Sequence, residues 1–219
     1  MIGDKIIIKP VYYETSRKII DELRLKEYIQ KQAKAVICIG GESGSGKSVT
    51  AVCLQEELQK QNINTIILHQ DDYFFYPPAE NHQLREKDIN HIGPQEVNIS
   101  SLQNHIDLFK RNEKSAVGPL MDYATNTVSN QLLEFEHHNV LIVEGTYSML
   151  LQGANFKIFI DRDYHKTLKN RIERNREKHS EFIETVLEIE HQIIKQHIQF
   201  ADYIIDHHYQ LTKHHINVK

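Results

Sequence analysis

Eight consecutive residues, Gly41-Glu42-Ser43-Gly44-Ser45-Gly46-Lys47-Ser48, satisfy the spacing G-x-x-x-x-G-K-[ST] in full. Such a stretch can wrap a polyanion. Residues without a β-carbon let the chain curl until successive backbone N–H groups point inward. A helix starting near Lys47 adds its unpaired N–H groups and the positive end of its dipole, with Val49 in the same first turn. The Lys47 ammonium can reach the β- and γ-phosphates of a triphosphate, and the Ser48 hydroxyl can ligate Mg²⁺. A nucleoside triphosphate with Mg²⁺ is therefore expected on residues 41–49; the motif does not itself distinguish ATP from GTP. A Gly/Ser-rich turn capping a helix would share the composition, but not the strand before and the helix after.

Acids stand where such a site needs them. The run His69-Gln70-Asp71-Asp72-Tyr73 closes a second apolar strand. A carboxylate there can take a proton from an attacking hydroxyl or hold a metal-bound water. Turn or capping chemistry is the plainer use of the same residues. Val143-Glu144-Gly145 closes a third apolar strand, the position from which an acid orients a Mg²⁺ shell. Farther on, Arg171 and Arg174 are spaced to share one face of a basic helix. A helix of that kind, closing over a triphosphate, would stabilise developing charge and exclude water. Glu173 and Glu177 are interleaved, as on an ordinary solvated helix.

These groups need a scaffold. Apolar residues on helical spacing predict an amphipathic helix over Glu14–Lys34. Ala35–Ile39 is short, apolar and β-branched, the pattern of a strand covered on both faces. A helix is expected over Lys47–Gln61, a strand over Thr65–His69, and loop-rich chain from Asp71 to Pro94. Helix Ser100–Arg111, strands Val140–Val143 and Lys157–Asp161, helices Tyr164–Lys178 and Glu181–Gln199, and a last strand at Tyr203–Asp206 follow. Strands alternating with helices imply an α/β fold with a mostly parallel sheet and a ligand site at the strand C-terminal ends. The division expected is an N-terminal helical extension (1–34), a main domain (35–207) with a lid at about 162–180, and a His-rich tail (208–219).

The chain has 219 residues, with 26 Lys+Arg against 30 Asp+Glu and a net charge of −4. That balance argues against a general nucleic-acid binder, which needs a basic surface to displace counterions. No apolar run approaches the roughly 20 residues of a membrane span. Two cysteines, Cys38 and Cys53, form no metal or disulfide pattern. A soluble, cytoplasmic protein is expected, with no nucleic acid and no membrane as partner. The 14 histidines include adjacent pairs; neighbours in extended chain face opposite ways and chelate poorly, so surface histidines are expected rather than a metal site.

The ordered segments GGESGSGKS, HQDDYF, PLMDY, VLIVEGTY, KIFIDRDYHKTLKNRIERNR and ADYIID resemble the uridine kinase/phosphoribulokinase family of P-loop kinases, with the greater likeness to the uridine kinase branch. The resemblance runs from about Val36 to Asp206. It implies a P-loop NTPase fold with a helical lid, and an ATP-dependent kinase that phosphorylates a hydroxyl of a nucleoside-like acceptor. By position it implies that Asp71 activates that hydroxyl and approaches Mg²⁺, that Glu144 is the second metal-associated acid, and that Arg171 and Arg174 are lid arginines which join Lys47 and Asp71 in catalysis. It places Tyr73 and Tyr123 at the acceptor pocket, with Asp72 and Asn126 beside them. Ile92 stands where the family keeps an acid for ribose hydroxyls. Asn126 and Val128 stand where it keeps a His and an Arg facing the pyrimidine nucleoside. Pantothenate-like or sugar-phosphate alcohols are the alternative acceptors, and a homo-oligomer is a further expectation of the resemblance. A GTP-dependent switch would call for an N-K-x-D segment, which is absent. A nucleotide-binding module without phosphotransfer is the remaining alternative, against which Lys47, Ser48, Asp71 and Glu144 count.

Overall fold

The computed structural model describes residues 6–167 and 180–214. Helix α1 (Pro10–Glu22) begins on a proline, whose missing N–H would be unpaired there anyway. Arg24 then takes a left-handed conformation (φ +45°) before α2 (Leu25–Gln32). The single helix expected over Glu14–Lys34 is therefore two helices. Leu23 and Leu25 explain the break. Two residues apart on one helix they would point to opposite sides, yet the turn at Arg24 lets both enter the same core.

The remaining elements are β1 (Ala35–Gly41), α3 (Lys47–Gln59), β2 (Thr65–His69), α4 (Pro78–Lys87), α5 (Ile99–Lys110), β3 (Ser115–Asp122), β4 (Thr127–Glu134), β5 (Val140–Glu144), β6 (Phe156–Ile160), α6 (Glu181–Ile194), β7 (Tyr203–Ile205) and β8 (Leu211–Lys213). The main sheet has the order β2-β5-β1-β6-β7-β8. Its first five strands are parallel and β8 adds an antiparallel edge. β1 is buried at every position, and its alternate side chains feed two cores. Ala35, Ile37 and Ile39 meet Ile19, Ile20, Leu54 and Leu58 from α1 and α3. Val36 and Cys38 meet Leu102, Ile106 and Phe109 of α5 on the other face. Each isoleucine or leucine so buried contributes roughly 1.5–3 kcal/mol. The N-terminal helices are thus a layer of the fold.

Several expectations change. Residues 71–94 contain α4, which begins at a helix-starting proline; Asn81 is its buried residue, so it carries no apolar stripe to betray it. The β3–β4 hairpin, paired from Ser115–Glu134 to Asp122–Thr127, was not anticipated by the strand pattern. The last helix gives way after Ile194 to a 3₁₀ segment, Lys195–Phe200. β8 occupies part of the segment expected as a tail. The predicted helix Tyr164–Lys178, with Arg171 and Arg174, lies mostly outside the described residues, of which 164–167 are helical. Cys38 and Cys53 are free and buried. Among the described residues, no helix is long and apolar enough to cross a membrane.

Candidate active site

Parallel pairing brings three strand ends together. β5 lies between β1 and β2, and Glu144 at its end is in register with both Ile39 and His69. One side of Glu144 is the loop leaving β1, and the other is the 3₁₀ turn Gln70–Tyr73 that leaves β2.

The loop departs at Gly41 (φ +143°), where a β-carbon would start 2.7 Å from the Ile160 carbonyl oxygen, so only glycine fits between β1 and β6. At its far end Gly46 (φ +107°) leads into α3. The buried Lys47 ammonium donates to the Glu42 carbonyl at 2.9 Å, closing the curl. Among the described residues, no side chain caps α3 and its first turn carries no acid. A helix start of that kind suits an anion. The Glu42 carboxylate, which would repel phosphate, is held elsewhere. It accepts the Tyr164 N–H at 2.7 Å and pairs with His191 Nδ1 at 2.7 Å. Thr167 also donates to the Ser43 carbonyl at 3.0 Å, so the loop is stitched to α6 and to the start of the expected lid.

Glu144 is buried. Burial alone would raise its carboxyl, but the His69 hydrogen bond at 2.7 Å and charge, the Lys47 ammonium and the Ser48 hydroxyl together hold it below the ordinary value. For His69 burial pulls the other way, yet the bond and charge of Glu144 lift its ring above the ordinary value. An ionised acid with the Ser48 hydroxyl acting on it, beside the curl of residues 41–47, suits Mg²⁺, which keeps several waters and shares phosphate oxygens. Among the described residues, no three or more His, Cys, Asp or Glu side chains form a metal cage.

The expected acceptor residues divide. Asp71 is half-buried on the turn just after His69. Gln70 anchors that turn by accepting the Tyr147 N–H at 2.7 Å. Asp72 is buried and accepts the Met121 N–H at 2.9 Å, and burial raises its carboxyl. Tyr73 lies in the core with its hydroxyl 2.8 Å from His105 Nδ1. His105 Nε2 faces the Val117 carbonyl at 3.2 Å and must carry the proton, so Nδ1 accepts from the phenol. Burial lowers the His105 value, in keeping with a neutral ring. Tyr123 is half-buried beyond the end of β3. Asn126 accepts the Ala79 N–H and donates to Glu80, both at 2.8 Å, tying the hairpin tip to α4. Ile92 is buried.

Sequence reasoning missed several groups. His69 was readable, since it ends a strand beside an acid-bearing one. His191 lies far along the chain from Glu42, and no local pattern links them. The same holds for Arg85, which pairs with the fully buried Glu96 and, at 3.0 Å, with Glu190 of α6.

Residues 36–219 match the model of the phosphoribulokinase/uridine kinase family. The chain is similar to a uridine kinase from Alkaliphilus metalliredigens, 28% identical over 158 residues that cover 69% of this chain and 73% of that protein. It is also similar to a bifunctional alpha-galactosidase/sucrose kinase from Mediterraneibacter gnavus, 27% identical over 189 residues that cover 77% of this chain but 20% of that protein. In three dimensions it is similar to a possible uridine kinase from Bacillus stearothermophilus, with a TM-score of 0.56, 18% identity, and coverage of 83% of this chain and 96% of that one. That likeness is one of fold. With the family match reaching from the first strand through every later element, this chain belongs to the phosphoribulokinase/uridine kinase family of P-loop kinases.

Proposed function

We propose that this chain transfers the γ-phosphoryl group of ATP to a hydroxyl of a small-molecule acceptor. The observation that carries the reading is Glu144: buried, held ionised, paired with His69 at 2.7 Å, and in register beside the strand that delivers Asp71. ATP would lie on residues 41–49, its phosphates on the loop amides and on Lys47. Ser48, Glu144 and Asp71 would hold Mg²⁺, directly or through water, and when bound the ion neutralises charge on the β- and γ-oxygens. Asp71 takes the proton from the acceptor hydroxyl as the new bond forms. Arg171 and Arg174 are proposed to cover the triphosphate and exclude water.

A nucleoside-like acceptor is supported by the likeness to uridine kinases. A second reading, a sugar or similar polyol, is supported by the acceptor side. Ile92 offers no hydrogen bond, and both polar ends of the Asn126 amide are engaged by α4. The relative that phosphorylates sucrose supports it too. Acceptor-dependent ADP release across a panel of nucleosides, sugars and pantothenate-like alcohols, with mass spectrometry of the product, tests both. A product bearing one added phosphate is expected. Triphosphate binding with no phosphorylated product from any hydroxyl compound would instead favour a silent nucleotide-binding module.

A further inference from the structure

Helices α1 and α2 precede the residues matched by the family model, which begin at residue 36. Yet α1 reaches the phosphate loop. Tyr12 is 4% exposed and covers Gly46, where a β-carbon would start 3.0 Å from both its ring and its hydroxyl. Its hydroxyl lies 3.0 Å from that of Tyr209 in the β7–β8 turn. Arg162, at the exit of β6, donates to the Tyr209 hydroxyl and lies over its ring at 4.7 Å. The same guanidinium nitrogen is 3.4 Å from the Ser45 carbonyl oxygen. Tyr209 itself has a left-handed backbone (φ +60°), and its carbonyl accepts the Thr15 hydroxyl of α1 at 3.0 Å.

The two loop residues just before Lys47 are thus backed by groups from both ends of the chain. Their geometry matters because the amides at this bend must aim at phosphate, and an amide turned away binds nothing. Gly46 is also the residue with most freedom to turn. A bulky ring against it removes that freedom before the nucleotide arrives, so less ordering is left for binding to supply.

We propose that Tyr12 is a positioning residue of the triphosphate site, holding Gly46 by contact and Ser45 through Tyr209 and Arg162. This rests on reading residues 41–49 as that site. The test measures the affinity of the full-length protein for a non-hydrolysable ATP analogue by calorimetry, alongside KM for ATP and for the acceptor and the thermal midpoint. Tyr12→Phe keeps the ring and is expected to weaken analogue binding about threefold, in line with one neutral hydrogen bond. Tyr12→Leu is expected to weaken it about tenfold, as preorganisation is lost. KM for ATP should rise in parallel and KM for the acceptor should stay. Ile19→Val, on the same helix but in the core away from the loop, should lower the thermal midpoint and leave affinity alone.

Analogue affinities of both Tyr12 variants within about twofold of the parent would overturn the proposal. So would an equal loss from Ile19→Val, which would make the effect one of general stability. If Tyr12→Leu does not fold, Tyr12→Phe decides. If the parent binds no triphosphate at all, the reading of the site fails, and the Tyr12 role falls with it.

Discussion

The phosphate side and the acceptor side of this site are built on different principles. Around residues 41–48 the groups proposed to hold phosphate are backbone amides, and what orients them is local: glycines at tight bends, a helix start, and a lysine folded onto its own loop. Around α4 and the β3–β4 hairpin the polar groups are side chains engaged with one another and with nearby backbone. Arg85 joins Glu96 and Glu190, Asn126 joins Glu80, and Asp72 holds Met121. Backbone amides serve any triphosphate, whereas each side-chain network answers to one shape. One fold can therefore keep its donor chemistry while its acceptor changes.

Four measurements would break or sharpen this contrast. The largest effect is expected at the seam. Asp71→Asn should leave ATP binding intact and lower kcat by roughly 10²–10⁴, the ordinary worth of a general base. A wild-type kcat in that variant would remove the proton-acceptor role. On the acceptor side, Arg85→Ala strands the buried Glu96 carboxylate. It should cost about 3–5 kcal/mol of stability in denaturant titrations, while analogue affinity of the surviving folded protein stays near that of the parent. A selective loss of ATP binding would show the two sides to be one network. On the phosphate side, Lys47→Ala should lower kcat/KM by roughly 10²–10³ in steady-state kinetics and weaken ATP binding too.

The smallest effect concerns the His69–Glu144 pair. The Glu144 carboxyl is held below its ordinary value of 4.5, so its contribution is complete above that pH and fades as pH falls through the lowered value. The His69 ring is held above its ordinary 6.5, so its contribution is complete below that pH and fades as pH rises through the raised value. Thermal midpoints of the wild type and of His69→Gln should differ most between these two values and converge on either side. A difference independent of pH would mean that packing, and not the ion pair, joins the two strands.

How much of this could be read from the chain follows the same divide. The strand, loop and helix of residues 35–59 were readable because motif, apolar run and helix start are contiguous. The acids ending β2 and β5 were readable as candidates, and sheet register then set them beside each other. α4 was hidden because it lies on the surface with polar residues, and Pro77-Pro78 reads as punctuation although the second proline starts a helix. The β3–β4 hairpin was hidden because β4 is mostly exposed and polar, so its alternation is blurred. The pairing of Glu42 with His191 joins residues that no short pattern connects.

The double-sided sheet has a practical corollary. A truncated version starting at Val36, where the family model begins to match, would strip Ile19, Ile20, Leu23 and Leu25 from the β-surface formed by Ile37, Ile39 and Ile142. The stretch matched by the family model and the stretch needed for a sound molecule are then unequal lengths of polypeptide, and expression work has to respect the longer one.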